Sequence, residues 1–366
     1  MTPTLYQPVY LTSVTVMTMV LANIYTKYTN TRLDSEIKNS YGGALFVCFV
    51  LTIFIGFRPI SMIFVDMVNY NATYYNLYFN TRFAFNWSAG NYLFDNLFHW
   101  FASSRINIEY FFVTMTAINF GSLLLACHRM FPKDTLYSFI IYLGAFSTFS
   151  YATNGIKAGA AASIFLCALA YKDKWWLSLI FLWISLGFHH SMILPISAFL
   201  ICWFVKNQKL YLICWCACIV ISALHISFFQ EIFASMADDK GARYLGEDVG
   251  MSYVGFRPDF ILYSAAPVVL GYWVIKVKGY RSKLYDTMYC TYLLTNSVWM
   301  LCMYANFTNR IAYLSWLMLP IVLIYPFFDK PFIRHQYSGA NRVAGWHLAF
   351  TLAMQIIYYG LLGASH

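Results

Sequence analysis

The chain has 366 residues, of which 60% are hydrophobic and 11% charged, with a formal net charge of +9. A water-soluble protein would carry about a quarter charged residues, so the composition points to an integral membrane protein. The positive excess lies in short connectors, not in a compact basic domain; this argues against nucleic acid and for anionic membrane lipid as its partner.

A bilayer core about 30 Å thick takes roughly 20 apolar residues per helix. On that measure the sequence predicts an all-α polytopic membrane protein of about twelve helices. They cover roughly 8–26, 41–57, 110–127, 136–152, 156–171, 175–189, 191–205, 210–228, 260–275, 287–305, 311–328 and 343–362. The first follows neither a basic leader nor the pattern of a cleaved signal and is read as a retained helix. Alternate connectors (27–40, 128–135, 172–174, 206–209, 276–286 and 329–342) hold 16 of the 24 Lys+Arg and 6 of the 15 Asp+Glu, against 8 and 9 elsewhere. Cytoplasmic loops collect Lys and Arg, so this set is expected inside, with both termini outside. No connector contains a P-loop or a dinucleotide fingerprint.

Two outer segments are long, 58–109 and 229–259. The first predicts interfacial helices, with Asp66 and Tyr70 four apart and therefore on one helical face. Its crowd of aromatics, from Tyr70 to Phe101, reads first as an interfacial belt and, as the sharper alternative, as a sugar-stacking cleft. Gly56-Phe57-Arg58-Pro59 recurs as Gly255-Phe256-Arg257-Pro258, each at an outer membrane edge. Arg58, Lys157, Arg257 and Arg310 all fall beside apolar helices on that side, with Arg243 in the second outer loop. Such cations serve either as anchors to lipid phosphate or as an anion site, for which the planar guanidinium fork suits a diphosphate. The outer acids Asp238-Asp239 and Glu247-Asp248 lack metal-ligand spacing, so a metal-free site without cofactor is expected. His189-His190-Ser191 follows Phe188 at an outer helix edge, where a neutral imidazole can take a proton. The nine cysteines contain no Cys-x-x-Cys and read as packing residues.

Several of these segments together resemble the EpsG-type proteins, Wzy-like bacterial exopolysaccharide polymerases. Gly56-Phe57-Arg58-Pro59 with Asp66 and Tyr70 is similar to that family's Arg…Asp…Tyr segment. Asn154-Gly155-Ile156-Lys157-Ala158 resembles its Asn-Gly-Ile-Arg-Gln, with Lys in place of Arg and the fork therefore lost. Phe188-His189-His190-Ser191 with Pro195 resembles its Phe-His-x-Ser…Pro, and Asn309-Arg310-Ile311-Ala312-Tyr313 with Pro320 its Arg…Tyr…Pro. The resemblance spans roughly residues 45–325. It implies an undecaprenyl-diphosphate-linked oligosaccharide as substrate at the outer face of the bacterial inner membrane, with a chain-length regulator and a flippase of the same pathway as companions.

The expected reaction is attack by an acceptor hydroxyl on the donor's anomeric carbon with the lipid diphosphate leaving. Arg58, Arg257 and Arg310 are expected to stabilise the leaving group. His189 is expected as the base, with Asp66 as competitor. Tyr70, Asn154, Lys157, His190, Arg243 and Tyr313 are expected to bind substrate. Neighbouring positions on a helix diverge by about 100°, so His189 and His190 would not serve one atom. The rival readings are a membrane sugar O-acyltransferase and a flippase or transporter of lipid-linked glycan.

Overall fold

The structure is a computed structural model that describes residues 1–27, 40–80, 82–226, 228, 255–305 and 308–356, and every regular element among them is helical. Four stretches are long and apolar enough to cross a bilayer: Pro3–Thr26, Ile108–Met130, Pro258–Val277 and Thr308–Asp329. Shorter apolar helices cover Tyr41–Gly56, Ile156–Ala170, Trp175–Phe188, His190–Phe204 and Gln208–Ala223. The all-α class is as expected, and the apolar helices support a multi-pass membrane protein. Among the described residues these are four long spans and five shorter apolar helices, where hydropathy predicts about twelve crossings.

The chain divides into two compact units, the first comprising Met1–Met192 and Phe327–His366. It contains α1 (Tyr6–Lys27), α2 (Ser40–Gly56), α3 (Val65–Asn80), α4 (Tyr92–Ser103), α5 (Ile108–Met130), α6 (Thr135–Leu143), α7 (Phe146–Thr153), α8 (Ile156–Ala170), α9 (Trp175–Phe188) and, later in the chain, α16 (Gln336–Gln355). The Ala-rich start of α8 lets α5 and α9 approach closely, as small residues do where helices pack in lipid. Ser178 and Ser185 of α9 donate to the carbonyls of Ala168 and Ala161 at 2.8 and 2.7 Å. The predicted helix 136–152 is broken at Gly144, where Ala145 turns extended. The break is tolerated because it is buried and its freed carbonyls find partners. Tyr10 donates to Leu143 O at 2.7 Å and Thr148 to Tyr142 O at 3.0 Å.

The ends of this unit are chemically distinct. At one end Tyr25 donates to Asp134 (2.8 Å), Tyr137 to Asn341 (2.8 Å), and the Tyr41 ring lies tilted against His128 (4.2 Å between centres). These residues lie in or beside the basic connectors. At the opposite helix ends lie Arg58, Asn154, Lys157 and His189.

The second unit is Ile193–Pro326, with α10 (Ile193–Phe204), α11 (Gln208–Ala223), α12 (Pro258–Tyr272), α13 (Lys283–Leu301), α14 (Thr308–Trp316) and α15 (Leu319–Asp329), whose last turn enters the first unit. Its core is held by a buried polar network on α13. Asn296 accepts from Trp215 Nε1 at 2.7 Å and donates to Ser315 at 2.9 Å and to Ser264 at 3.2 Å. Trp316 Nε1 donates to Ser264 at 2.8 Å. The predicted helix 311–328 is interrupted between Trp316 and Leu319, where Pro320 enters the first turn of α15, a position that tolerates its missing N–H. Connector 276–286 is shorter than expected because α13 starts at Lys283. Most of the outer segment 229–259 lies outside the described residues.

Candidate functional site

Arg58 follows the end of α2 and is only 2% exposed. Its Nη1 donates to Ile55 O at 2.8 Å and its Nη2 to Thr153 O at 2.6 Å. Both acceptors are last-turn carbonyls, of α2 and α7, where helix dipoles favour a cation. The rings of Phe64 and Phe112 flank the guanidinium at 5.4 and 5.6 Å. Burial pulls its pKa down to about 9, so it stays charged at neutral pH. Its terminal nitrogens clamp two helix ends, which differs from the open diphosphate donor expected from the sequence. Nε is buried and without a hydrogen-bond partner.

The clamp fixes the turn that carries Asn154 and Lys157. Asn154 caps α7, and its Oδ1 is a buried acceptor without a partner. Lys157, in the first turn of α8, is half-buried with Nζ 5.9 Å from the centre of the Phe94 ring. Phe94 is also where Tyr70 arrives, at 5.6 Å between ring centres. Asp66 lies one turn before Tyr70 on α3 and is half-buried. α4 thus meets both the Asp66–Tyr70 helix and the Lys157 turn.

The aromatics divide by burial. Phe94, Phe98 and Tyr74 are buried and pin α3 to α4 and α5, with Phe98 5.0 Å from Phe111 and Tyr74 donating to Ile106 O at 2.7 Å. Phe83, Phe85 and Trp87 are exposed, on a loop held to α4 by Asn96, which accepts from Asn86 N at 2.7 Å and donates to Asn86 O at 2.8 Å. Trp87 is 72% exposed, with Phe85 at 4.5 Å and Tyr92 at 6.2 Å.

α4 also reaches the histidines. A side chain at Gly187 would put its Cβ 2.6 Å from Leu93, so glycine there lets α9 lie directly on α4. The α9 helix ends at His189, which is extended. Asn91, just before α4, accepts from the backbone N–H of the exposed His190 at 2.9 Å. Ser191 N–H donates to His189 Nδ1 at 3.1 Å, and Ser191 Oγ lies 2.6 Å from the same atom. A neutral imidazole has one acceptor nitrogen. The backbone donor assigns that role to Nδ1 and the proton to Nε2. His189 is therefore arranged to donate through Nε2, in contrast to the base role expected from the sequence.

In the second unit the fork of Arg257 is occupied. Nε and Nη2 donate to Asp259 at 3.0 and 2.7 Å, and the guanidinium lies 3.8 Å from the centre of the Phe260 ring. Arg257 and Arg58 therefore do different work despite their matching tetrapeptides. Arg310 is exposed in the first turn of α14, while Tyr313 is 6% exposed and packs 5.7 Å from Trp316. Arg243, Lys240 and the acidic pairs 238–239 and 247–248 lie outside the described residues. Among the described residues, no three His, Cys, Asp or Glu side chains gather as metal ligands.

Sequence reasoning assigned no role to Asn91 or Asp259, and it offered Phe94 only as one of the aromatic crowd and Ser191 only as part of the Phe-His-x-Ser segment. The spacing of Asp259, two residues after Arg257 and one after a proline, was a local signal for the pairing. Asn91 carried none, and the partners of Phe94 were not legible, because both residues meet groups distant in sequence. The EpsG family matches residues 44–360. No curated protein and no solved structure matches the chain. The chain belongs to the EpsG family, which suggests a membrane protein of exopolysaccharide biosynthesis.

Proposed function

We propose that this EpsG-family protein is a polysaccharide polymerase at the outer face of the bacterial cytoplasmic membrane. It moves the growing glycan from undecaprenyl diphosphate onto the next lipid-linked repeat unit. The observation that carries the reading is the gathering of Lys157, the Asp66–Tyr70 helix and the His189–Ser191 turn around α4, at helix ends away from the basic connectors.

In this mechanism the acceptor hydroxyl attacks the anomeric carbon. The new glycosidic C–O bond forms as the C–O bond to the diphosphate breaks, and the diphosphate leaves with the electron pair. The hydroxyl proton passes to Asp66. Lys157 meets the negative charge growing on the diphosphate, a preorganised contact of the kind that usually dominates catalysis. His189 donates through Nε2 to a substrate oxygen, and Asn154 Oδ1 accepts from a sugar hydroxyl, which would satisfy a buried atom otherwise left unpaired. Arg58 positions the Asn154–Lys157 turn, and Trp87 offers an exposed ring face to sugar C–H groups. Arg310 lies in the second unit and takes no step in this site; the family resemblance alone makes it a candidate phosphate contact. No metal or cofactor enters any step, and polymerisation is expected to survive excess EDTA.

The test is to incubate the purified protein with lipid-linked repeat units and resolve the products on a gel. A ladder of lengths is expected. Unaltered repeat units, together with their movement across a proteoliposome bilayer, would replace the polymerase with the flippase reading. The 2.6 Å contact between Ser191 Oγ and His189 Nδ1 supports a second reading, a sugar O-acyltransferase with Ser191 as nucleophile. An acyl adduct on Ser191 in intact-protein mass spectrometry would favour it.

A further inference from the structure

The second unit contains a cavity of about 330 Å³ that the polymerase mechanism does not use. One wall is the start of α11, with Lys209, Leu212 and Ile213; the other is Tyr272, Ile275 and Lys276. That second wall belongs to the end of α12 and to a π-helical turn, Trp273–Val277, in which Lys278 N–H bonds Trp273 O at 3.0 Å. Such turns widen a helix and recur at functional sites. Tyr289 of α13 also lines the cavity, and its hydroxyl donates to Val268 O at 2.9 Å. A Cβ at Gly271 would fall 2.3 Å from the Tyr289 ring, so glycine there lets that ring pack directly on α12.

The cavity is amphipathic. Leu212, Ile213, Ile275 and the tyrosine rings give it apolar walls, and the exposed Lys209 and Lys276 border them. The nearby acid, Asp286, accepts from Gln208 Nε2 at 2.7 Å and lies within electrostatic reach of Arg281, Lys206 and Lys276. The surroundings are thus strongly cationic. Inorganic phosphate would leave the apolar wall in water, and a zwitterionic headgroup would bring its own cation among lysines.

We propose that this cavity binds one anionic phospholipid of the leaflet that the basic connectors face. Its phosphate lies between Lys209 and Lys276, and the first part of one acyl chain lies along Leu212, Ile213 and Ile275. The volume is at the small end of ligand pockets, which suits a headgroup and a chain segment and not a whole lipid. The site is independent of the polymerase reading, because its lining residues belong to the second unit alone.

Native mass spectrometry of the full-length protein, titrated with phosphatidylglycerol and with phosphatidylcholine, tests this. The wild type is expected to prefer phosphatidylglycerol. The double variant K209Q/K276Q should lose affinity for it by roughly 30-fold, the effect of two cations at a membrane surface. K278Q, outside the lining, should change it little. Leu212→Trp, which fills the cavity without altering charge, should also lower phosphatidylglycerol binding. Equal binding of both lipids would overturn the proposal. So would unchanged affinity in either cavity variant, or displacement of phosphatidylglycerol by millimolar inorganic phosphate.

Discussion

Replacing Arg58 separates a clamp from a catalyst. Its two terminal nitrogens supply charge-assisted hydrogen bonds to Ile55 O and Thr153 O at 2.8 and 2.6 Å. Hydrogen bonds to charged groups each contribute about 1.5–3 kcal/mol. Arg58→Ala removes both and leaves Thr153 O without that donor, while Ile55 O keeps only the longer bond from the residue 58 backbone N–H (3.3 Å), so the expected loss is about 3–6 kcal/mol. In a unit of this size that lowers the melting temperature by about 6 °C or more. Arg58→Lys keeps a positive charge but lacks the fork that spans two carbonyls, so it should recover no more than about half. The assay is thermal unfolding in nanodiscs, followed by size-exclusion chromatography, alongside the polymer ladder. The clamp reasoning expects activity to fall together with stability. An Arg58→Ala protein that melts within about 1 °C of the wild type yet makes no polymer would refute it and return Arg58 to the diphosphate.

Other outcomes test the remaining parts. Asp66→Asn should abolish polymerisation; His189→Ala should reduce it by about 10²–10³, as loss of one fixed donor does, and His190→Ala should largely spare it, whereas a dead His189→Ala beside an active Asp66→Asn would make His189 the base. Arg310→Ala should lower activity with folding intact, while Arg257→Ala should act mainly on stability, because the Arg257 fork is held by Asp259; melting and ladder assays on both variants distinguish the two. Cysteine placed at the exposed Lys278 should be labelled only from the cytoplasmic side and is a better probe than the buried Tyr280; labelling from outside would invert the assumed topology. Asp134 gives a pH test, since burial raises its carboxyl to about 6 against about 3.9 in an unfolded chain. The folded protein then holds a proton that the unfolded chain has released between roughly pH 4 and 6, so stability falls as pH rises through that window and the cost is full above it. Asp134→Asn, which can still accept from Tyr25, should stabilise by up to roughly 3 kcal/mol at pH 7 and little near pH 4; a difference that is the same at both pH values would count against this account.

Hydropathy and charge are properties of short windows, and they determined what short windows can. The helices at 8–26, 41–57, 156–171 and 175–189 lie where the apolar runs place them, because a long apolar run in a bilayer must satisfy its own backbone hydrogen bonds, as a helix does, whatever its side chains pack against. Among the described residues, connectors 128–135, 172–174 and 329–342 lie at one end of the first unit, as alternation of the apolar runs requires. The order of the Arg, Asp, His and Tyr segments was likewise enough to indicate the family. The state of each polar group was not local. Whether Arg58 is an anion donor or a clamp depends on Thr153, 95 residues away, and whether Lys157 and Tyr70 meet depends on Phe94, which neither is near in sequence. The breaks at Gly144 and after Trp316 survive because buried side chains and neighbouring turns satisfy the freed backbone groups, as Tyr10 does for Leu143. Burial makes an unpaired donor or acceptor costly, so the nearest available partner decides what a polar side chain does, and only the tertiary structure brings that partner into place.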